Sequence, residues 1–309
     1  MKAAYFDRFG GPDVLKYGDL PDPVPAAGEV LVNVAAASVN AADWKFRSGQ
    51  YARHSNAHFP LIPGRDFSGS VSALGSGVDD LKIGDAVFSV LEAGKEGTYA
   101  EKIAVKAAIV AKKPRTISHV EAAAVALTGL TAVNALADTL QLKSGETILI
   151  QGGAGGVAGF AIQFAKHLGA RVITTTSAAN RDYVQALGAD EVIDYNTQDF
   201  TKVVSGCDVV FDTVGGEVAQ KSFAVLKPGG RAAFIASGME APKPDHSDVT
   251  SLRPPVGRSR QAMERIAELV EAGAVRQPVI KLYRLWEAAD AHRLSESRHF
   301  KGKLIFHIP

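Results

Sequence analysis

Apolar and polar positions along the first third of the chain alternate in short runs. Residues 29–39, Glu29-Val30-Leu31-Val32-Asn33-Val34 and onward to Val39, read as one long strand. Shorter runs at 67–74, 86–90, 99–105 and 109–111 read as further strands. Turn residues separate them: Pro21 to Pro25, Pro63-Gly64, Gly75-Ser76-Gly77, Ile83-Gly84-Asp85 and Gly94 to Gly97. Many short strands with such turns predict a barrel-like β domain.

After Pro114 the pattern changes to helix and strand in alternation. Ser118 followed by Glu121 is a capping-box signature. It predicts an Ala-rich helix to about Leu127, then a second helix from about Leu130 to Leu140. Strands follow at 147–151, 171–175, 191–194, 208–212 and 231–236, with helices at 157–168, 180–187 and 218–226. That order predicts an α/β fold with a parallel, doubly wound sheet and crossover helices. Residues 239–257 read as a loop and 259–272 as an amphipathic helix ending at Gly273. The last stretch reads as strand, helix (285–297) and strand (303–308), returning to the first domain. The expected domains are therefore 1–115 with 277–309, and 116–276.

The parallel part opens on Ile148-Leu149-Ile150-Gln151-Gly152-Gly153-Ala154-Gly155-Gly156-Val157-Ala158-Gly159. An apolar run stops at glycines and an amphipathic helix follows at once. Glycine lets a backbone approach a ligand closely. The first-turn N–H groups of the helix then face the loop, which makes a phosphate site from Gly153, Ala154, Gly155, Gly156 and Val157.

Composition narrows the reading. Apolar residues make up 46% and charged residues 22%, as in ordinary globular proteins, and the formal net charge is +1. Neither a basic excess nor a basic run suggests a nucleic-acid or membrane surface. The single cysteine, Cys207, rules out an internal disulfide and a Cys-rich zinc site, and its strand-entry neighbours predict a buried apolar role. No basic leader with an apolar core opens the chain, and no apolar run reaches about eighteen residues. The expectation is a cytoplasmic protein with no membrane and no nucleic-acid partner.

In NAD-type sites an acidic residue about 20 residues past the first glycine takes the ribose hydroxyls. Here the second strand ends Thr174-Thr175-Thr176-Ser177-Ala178-Ala179-Asn180-Arg181, with no carboxylate before Asp182. Thr176, Ser177, Asn180 and Arg181 offer hydroxyls, an amide and a guanidinium to a 2′-phosphate, which predicts NADP(H). The alternative is that Ser177 caps the helix and Arg181 is a solvated surface charge.

Several segments together resemble one family. They are Ser38-Val39-Asn40-Ala41-Ala42-Asp43-Trp44-Lys45-Phe46-Arg47-Ser48-Gly49, Pro63-Gly64-Arg65-Asp66-Phe67-Ser68-Gly69, Leu127-Thr128-Gly129-Leu130-Thr131-Ala132, the glycine loop, Leu187-Gly188-Ala189-Asp190, Leu226-Lys227-Pro228-Gly229-Gly230 and Gly302-Lys303. In that order they resemble the zinc-independent quinone oxidoreductases of the medium-chain dehydrogenase/reductase superfamily, including its alkenal/enone reductases. Zinc-dependent relatives carry a cysteine after the long strand and a Gly-His-Glu further on. Those places here hold Ser38 to Asn40 and Gly64-Arg65-Asp66, so no metal is expected. Two features depart from the pattern: Ala158 replaces a usual glycine, and Lys45 stands where many quinone reductases carry tyrosine and the alkenal branch lysine.

The resemblance implies a GroES-like β-barrel-type catalytic domain and a Rossmann-like NADP domain. It also implies a homodimer and hydride transfer from NADPH to a quinone or an α,β-unsaturated carbonyl. Asn40 and Lys45 would then lie near the nicotinamide end, with Asp43 either there or a structural hydrogen-bonder. Thr128 would meet the nicotinamide amide, or else serve as a helix cap or back-bond. Val214 and Ser237 would pass over the nicotinamide and ribose, and Lys303 joins the cofactor set. Tyr51 is either a donor to the reduced substrate or an exposed loop aromatic. Two rival functions stay open: a non-catalytic NADP-binding regulatory or structural protein, and an acyl-thioester enoyl reductase. The second would need basic residues for its carrier phosphates, for which Lys243, Arg253, Arg258 and Arg260 are candidates.

Overall fold

The computed structural model describes residues 1–50, 58–92, 94–238, 240–245, 247–255 and 257–309. In chain order, β1 (Lys2–Tyr5) and β2 (Lys16–Asp19) form an antiparallel ribbon. Next come β3 (Glu29–Val39), α1 (Ala41–Arg47), β4 (Asp66–Leu74), β5 (Ala86–Val90), β6 (Lys102–Lys106) and β7 (Ala111–Lys112). The helix α2 (His119–Val133) runs into a π-helical turn, Asn134–Thr139. Then follow β8 (Thr147–Gln151), α3 (Gly156–His167), β9 (Arg171–Thr176), α4 (Arg181–Ala186), β10 (Glu191–Asp194) and α5 (Phe200–Val203). β11 (Cys207–Asp212), α6 (Gly216–Lys221), β12 (Leu226–Phe234) and β13 (Thr250–Leu252) continue the alternation. The chain closes with α7 (Arg260–Glu271), β14 (Ile280–Tyr283), α8 (Ala288–Ser297) and β15 (Lys303–His307).

These elements form two units: Met1–Leu127 with Arg258–Ala272 and Gln277–Pro309, and Thr128–Gly257 with Gly273–Arg276. The first unit is built around β3. One edge of β3 pairs with β4; the other is shared by β6 along residues 29–33 and β15 along residues 36–39. Register shifts against β4, between Leu31 and Val32 and between Val34 and Ala36, let the strand bend. From Ala36 onward β3 is buried on both faces. Valines 30, 32 and 34 pack with Phe67, Val87, Tyr99, Leu304 and Phe306 in the unit's core.

The second unit is a six-stranded parallel sheet in the order β10-β9-β8-β11-β12-β13. Strand order reverses between β8 and β11, and in such sheets ligands sit beyond the strands' C-terminal ends at that reversal. The two central strands are apolar and almost wholly buried, as a sheet covered on both faces requires.

The structure corrects several expectations. The two helices expected around 128–130 are one: Thr128-Gly129 lie inside α2. An interior glycine costs about 1 kcal/mol relative to alanine. Burial of Leu130, Ala132, Val133 and Leu136 outweighs that cost. The joined helix, 119–139, is long and apolar enough to cross a membrane by length and composition, but 67% of its apolar window is buried inside the fold. Residues 116–127 and 258–272, assigned by sequence to the nucleotide domain, belong to the first unit. Ala123 and Ala124 pack on Ala36 and Ile305, and Arg260 donates to the carbonyls of Val110 (2.8 Å) and Ala107 (2.6 Å). The expected strand at 109–111 is a 3-10 turn (Ala107–Ile109) followed by β7, and the expected loop at 239–257 contains β13.

Candidate functional site

In the second unit the chain leaves β8 through Gly152, whose φ of +78° suits glycine, and enters α3 with Gly155 as N-cap. A Cβ on Gly153 would lie 2.3 Å from Thr174 Oγ1. The loop is pinned from below by hydroxyls. Gly152 N donates to Thr175 Oγ1 (3.1 Å), Thr175 Oγ1 donates to the Gln151 side chain (2.6 Å), and Thr213 Oγ1 donates to the Gln151 carbonyl (2.8 Å). Gly153 N donates to the Thr175 carbonyl (2.9 Å). Gly155 offers no side-chain cap, so the opening N–H groups of α3 keep no side-chain acceptor there. Ala158 is fully buried, and Gly159 sits against Leu187. The alanine thus serves helix packing.

The next strand end carries the expected polar set. Thr176 is buried, while Ser177, Asn180 and Arg181 are half-exposed. Asn180 Nδ2 donates to Ser177 Oγ (3.2 Å), and neither residue caps a helix with its side chain. Among the described residues the Arg181 guanidinium has no hydrogen bond or ion pair. Further along the same sheet edge, Asp212 accepts from the backbone N–H groups of Val214 (3.3 Å) and Gly215 (2.8 Å) and shapes that turn. Burial holds its carboxyl above the usual range. Ser237 Oγ, past the end of β12, is buried without a partner. Gly153 to Val157, Thr176 to Arg181, Val214 and Ser237 therefore line the C-terminal ends of four neighbouring strands. Thr128, in the part of α2 that belongs to the same unit, is buried.

This arrangement fits a dinucleotide phosphate. A glycine-rich cradle and an uncapped helix start suit a pyrophosphate. The carboxylate-free strand end with an uncommitted guanidinium suits a 2′-phosphate. The orphaned Ser237 hydroxyl has hydrogen-bonding capacity to spare for a ribose or carboxamide.

The first unit holds a buried charged network. Asn40 caps α1, with its backbone N–H donating to Asp43 Oδ2 (2.8 Å). Asp66 accepts from Ser38 Oγ (2.8 and 2.7 Å), Asn40 Nδ2 (2.8 Å) and Leu127 N (3.2 Å). The Lys303 ammonium donates to the Asn40 amide oxygen (2.7 Å) and the Val39 carbonyl (2.8 Å). Burial raises the Asp66 carboxyl and lowers the Lys303 ammonium, and each one's charge opposes the other's shift. Asp43 also accepts from Tyr99 Oη (2.8 Å); burial pushes its carboxyl up to about 6 against the pull of Arg65. Arg65 Nε donates to Glu96 Oε1 (2.7 Å). Burial and the charge of Asp43 push the Glu96 carboxyl up to about 8.

Two sequence assignments change task here. Asn40, expected at the reacting centre, spends one amide hydrogen on Asp66 and the other on Ser38 (3.2 Å). Both amide hydrogens are thus engaged within the fold. Lys303, expected among cofactor ligands, is bonded to Asn40 and 5% exposed. Lys45 lies on α1 with its ammonium 5.6 Å from the centre of the Trp44 ring. Asp43 is the structural hydrogen-bonder of its loop. Tyr51 lies outside the described residues. Arg260 is spent on backbone carbonyls and an ion pair with Asp80, which removes it from a carrier-phosphate site. Among the described residues no three His, Cys, Asp or Glu side chains gather as a metal ion would require. Sequence reasoning missed Glu96, which pairing of Gly97 N with the Gly64 carbonyl (3.0 Å) brings beside Arg65. The available signal was Arg65 itself, an arginine where zinc-dependent relatives carry histidine.

Residues 26–115 match the alcohol dehydrogenase GroES-like domain family, and residues 187–306 match a family described as zinc-binding dehydrogenase. The chain is 33% identical to a chloroplastic NADPH-dependent alkenal/one oxidoreductase of Arabidopsis thaliana, over 99% of this chain and 79% of that one. Its fold is similar to the quinone oxidoreductase of Coxiella burnetii, with a TM-score of 0.92 and 34% identity over 100% of this chain and 99% of that one. It is also similar to Escherichia coli quinone oxidoreductase complexed with NADPH, with a TM-score of 0.90 and 28% identity over 100% of both chains.

Proposed function

Because the chain belongs to the medium-chain dehydrogenase/reductase superfamily, in its branch of quinone oxidoreductases and alkenal/enone reductases, we propose that it is an NADPH-dependent oxidoreductase. Its acceptor is a quinone or an α,β-unsaturated carbonyl, and it works without zinc. The carrying observation is the sheet edge of the second unit, where a glycine-rich cradle leads to a strand end with Arg181 and no carboxylate. Gly153 to Val157 would hold the pyrophosphate, and Thr176, Ser177, Asn180 and Arg181 the 2′-phosphate. Thr128, Val214 and Ser237 would hold the nicotinamide end. NADPH, when bound, supplies the hydride. The protein's part is to fix that cofactor, hold the acceptor oxygen with hydrogen-bond donors and keep water out.

The zinc-free reading rests on residue chemistry. Arg65 cannot give up its charge to ligate a metal at ordinary pH, and Ser38 to Asn40 hold no soft thiolate. The family resemblance also supports a homodimer, which sedimentation velocity tests. The function is tested by following NADPH oxidation with 1,4-benzoquinone and methyl vinyl ketone as acceptors. Turnover of either, with NADPH strongly preferred to NADH, is expected. NADPH binding without turnover of any quinone or enone would overturn the enzymatic reading in favour of a regulatory NADP-binding protein.

A further inference from the structure

Most polar groups in the first unit's buried network are satisfied, but among the described residues five side chains keep a buried open atom: Asp43 Oδ1, Trp44 Nε1, Glu96 Oε2, Thr98 Oγ1 and Arg258 Nε. Of these, Glu96 and Arg258 are the oppositely charged pair. Glu96 has a side chain only 7% exposed; its Oε1 accepts from Arg65, while Oε2 is buried with no partner. Arg258, just before α7, is half-buried, and its Nε–H is likewise buried with no partner. The two residues sense each other's charge, yet they make no hydrogen bond to one another. A buried polar group left unsatisfied destabilises the fold. Two within one electrostatic neighbourhood mark a place where a polar atom from outside the fold completes the bonding.

We propose that the Glu96 carboxyl and the Arg258 Nε–H form the receptor for the acceptor's carbonyl or quinone oxygen, with Arg65 positioning Glu96. This assignment rests on the function proposed above and names the groups that bind the acceptor. Asn40 is saturated, so the donors must come from elsewhere in the unit. Glu96 in its acid form presents an O–H at Oε2, and Arg258 presents a fixed N–H. Two donors shared by one oxygen would stabilise the negative charge that gathers there as the acceptor is reduced. Arg65 holds Oε1 as the carboxyl's acceptor side, which leaves Oε2 for the proton. Asp43 disfavours ionisation of Glu96, whereas Arg65 and Arg258 favour it. Tyr99 is buried within reach of Glu96, and Glu92 faces Arg258. Burial and Asp43 prevail, and the carboxyl stays protonated up to about pH 8. Above that, Glu96 loses its donor and repels the developing oxyanion.

The test is steady-state turnover of 1,4-benzoquinone and methyl vinyl ketone by the full-length protein, E96Q, E96L and R258A, from about pH 6 to about pH 10. NADPH affinity and thermal stability are measured in parallel. Wild-type kcat/KM is expected to fall above about pH 8. E96Q keeps an acceptor for Arg65 and an N–H donor but cannot ionise, so the alkaline limb disappears. E96L and R258A are expected to lose kcat/KM by roughly ten- to a hundredfold with NADPH affinity unchanged. If E96L does not fold, E96Q and R258A still decide the matter. An alkaline limb that persists in E96Q, or an R258A variant equal to wild type, would overturn the receptor while leaving the function intact. A wild type that binds NADPH and reduces no acceptor would overturn both.

Discussion

Replacing Gly153 by alanine tests the cradle through a collision that the structure specifies. The new Cβ would lie 2.3 Å from Thr174 Oγ1 and 3.1 Å from Thr174 Cγ2, with Ile162 Cδ1 at 3.2 Å. Ordinary contact is about 3.5 Å, so the closest pair must separate by about 1 Å. Ile162 presents a flexible tip, but Thr174 does not yield easily. It is fully buried, and its Oγ1 donates to the Ile150 carbonyl at 2.7 Å. Rotating it away breaks that buried bond, at about 1–3 kcal/mol of stability. Shifting the loop instead carries its N–H groups about 1 Å off a phosphate, beyond hydrogen-bonding range. Losing one charge-assisted bond costs about 1.5–3 kcal/mol, or roughly ten- to a hundredfold in NADPH affinity. Fluorescence titration with NADPH and thermal melts separate the two routes. Thr174→Ala removes both colliding atoms, so the double variant G153A/T174A should regain most of the lost affinity. A G153A protein with wild-type affinity and melting point, or a double variant no tighter than G153A, would refute this account of the loop.

Three further outcomes are expected. Arg181→Ala should weaken NADPH by roughly ten- to a hundredfold and NADH hardly at all, because only the 2′-phosphate needs the guanidinium; equal losses in titrations with both cofactors would remove Arg181 from the site. Lys303→Met should destabilise the protein by about 3–5 kcal/mol in urea unfolding by leaving Asp66 buried without its cation, and K303M/D66N should recover part of that loss; an additive double variant would deny the pairing. Burial and the Arg47 charge hold the His292 imidazole down to about 3 against an ordinary 6.5, so below pH 6.5 the unfolded chain binds a proton that the folded one refuses. Stability is therefore lost as pH falls from 6.5 toward 3, and melts of H292N should show a shallower acid limb; matching slopes would contradict this.

What the sequence made legible was whatever burial writes locally. β3 shows alternation, and β8 to β12 show apolar runs cut by turns, because each buries its faces within a few residues of chain. α2 was split in the reading because Thr128-Gly129 resembles a break; only tertiary burial of Leu130 to Leu136 carries the helix through. β13 is three residues long and pairs with β12 alone, so Thr250-Ser251-Leu252 has no pattern to betray it. The cofactor set was legible for a related reason. Its residues follow directly on strand ends, and in a parallel sheet all those ends lie on one edge. The first unit's polar network was not, since Lys303 meets Asn40 across 263 residues and Glu96 meets Arg65 across 31.

That difference explains why Asn40 is expected near the nicotinamide and Lys303 in the cofactor set, whereas the two are found bonded to each other. A polar residue in a family motif looks the same in sequence whether its hydrogen bonds face a ligand or the fold. Counting donors and acceptors tells the cases apart. Asp66 accepts from Ser38, Asn40 and Leu127 and sits beside Lys303; Asp43 accepts from Asn40 and Tyr99. Burying such carboxylates is tolerated because donors surround them, and removing one member exposes the cost of the rest. By the same count Ser237 in one unit, and Glu96, Arg258, Asp43 Oδ1, Trp44 and Thr98 in the other, are among those that keep buried atoms unspent. A fold gains no stability from leaving such atoms open, so of these the oppositely charged pair Glu96 and Arg258 is where an outside ligand has the most binding energy to gain.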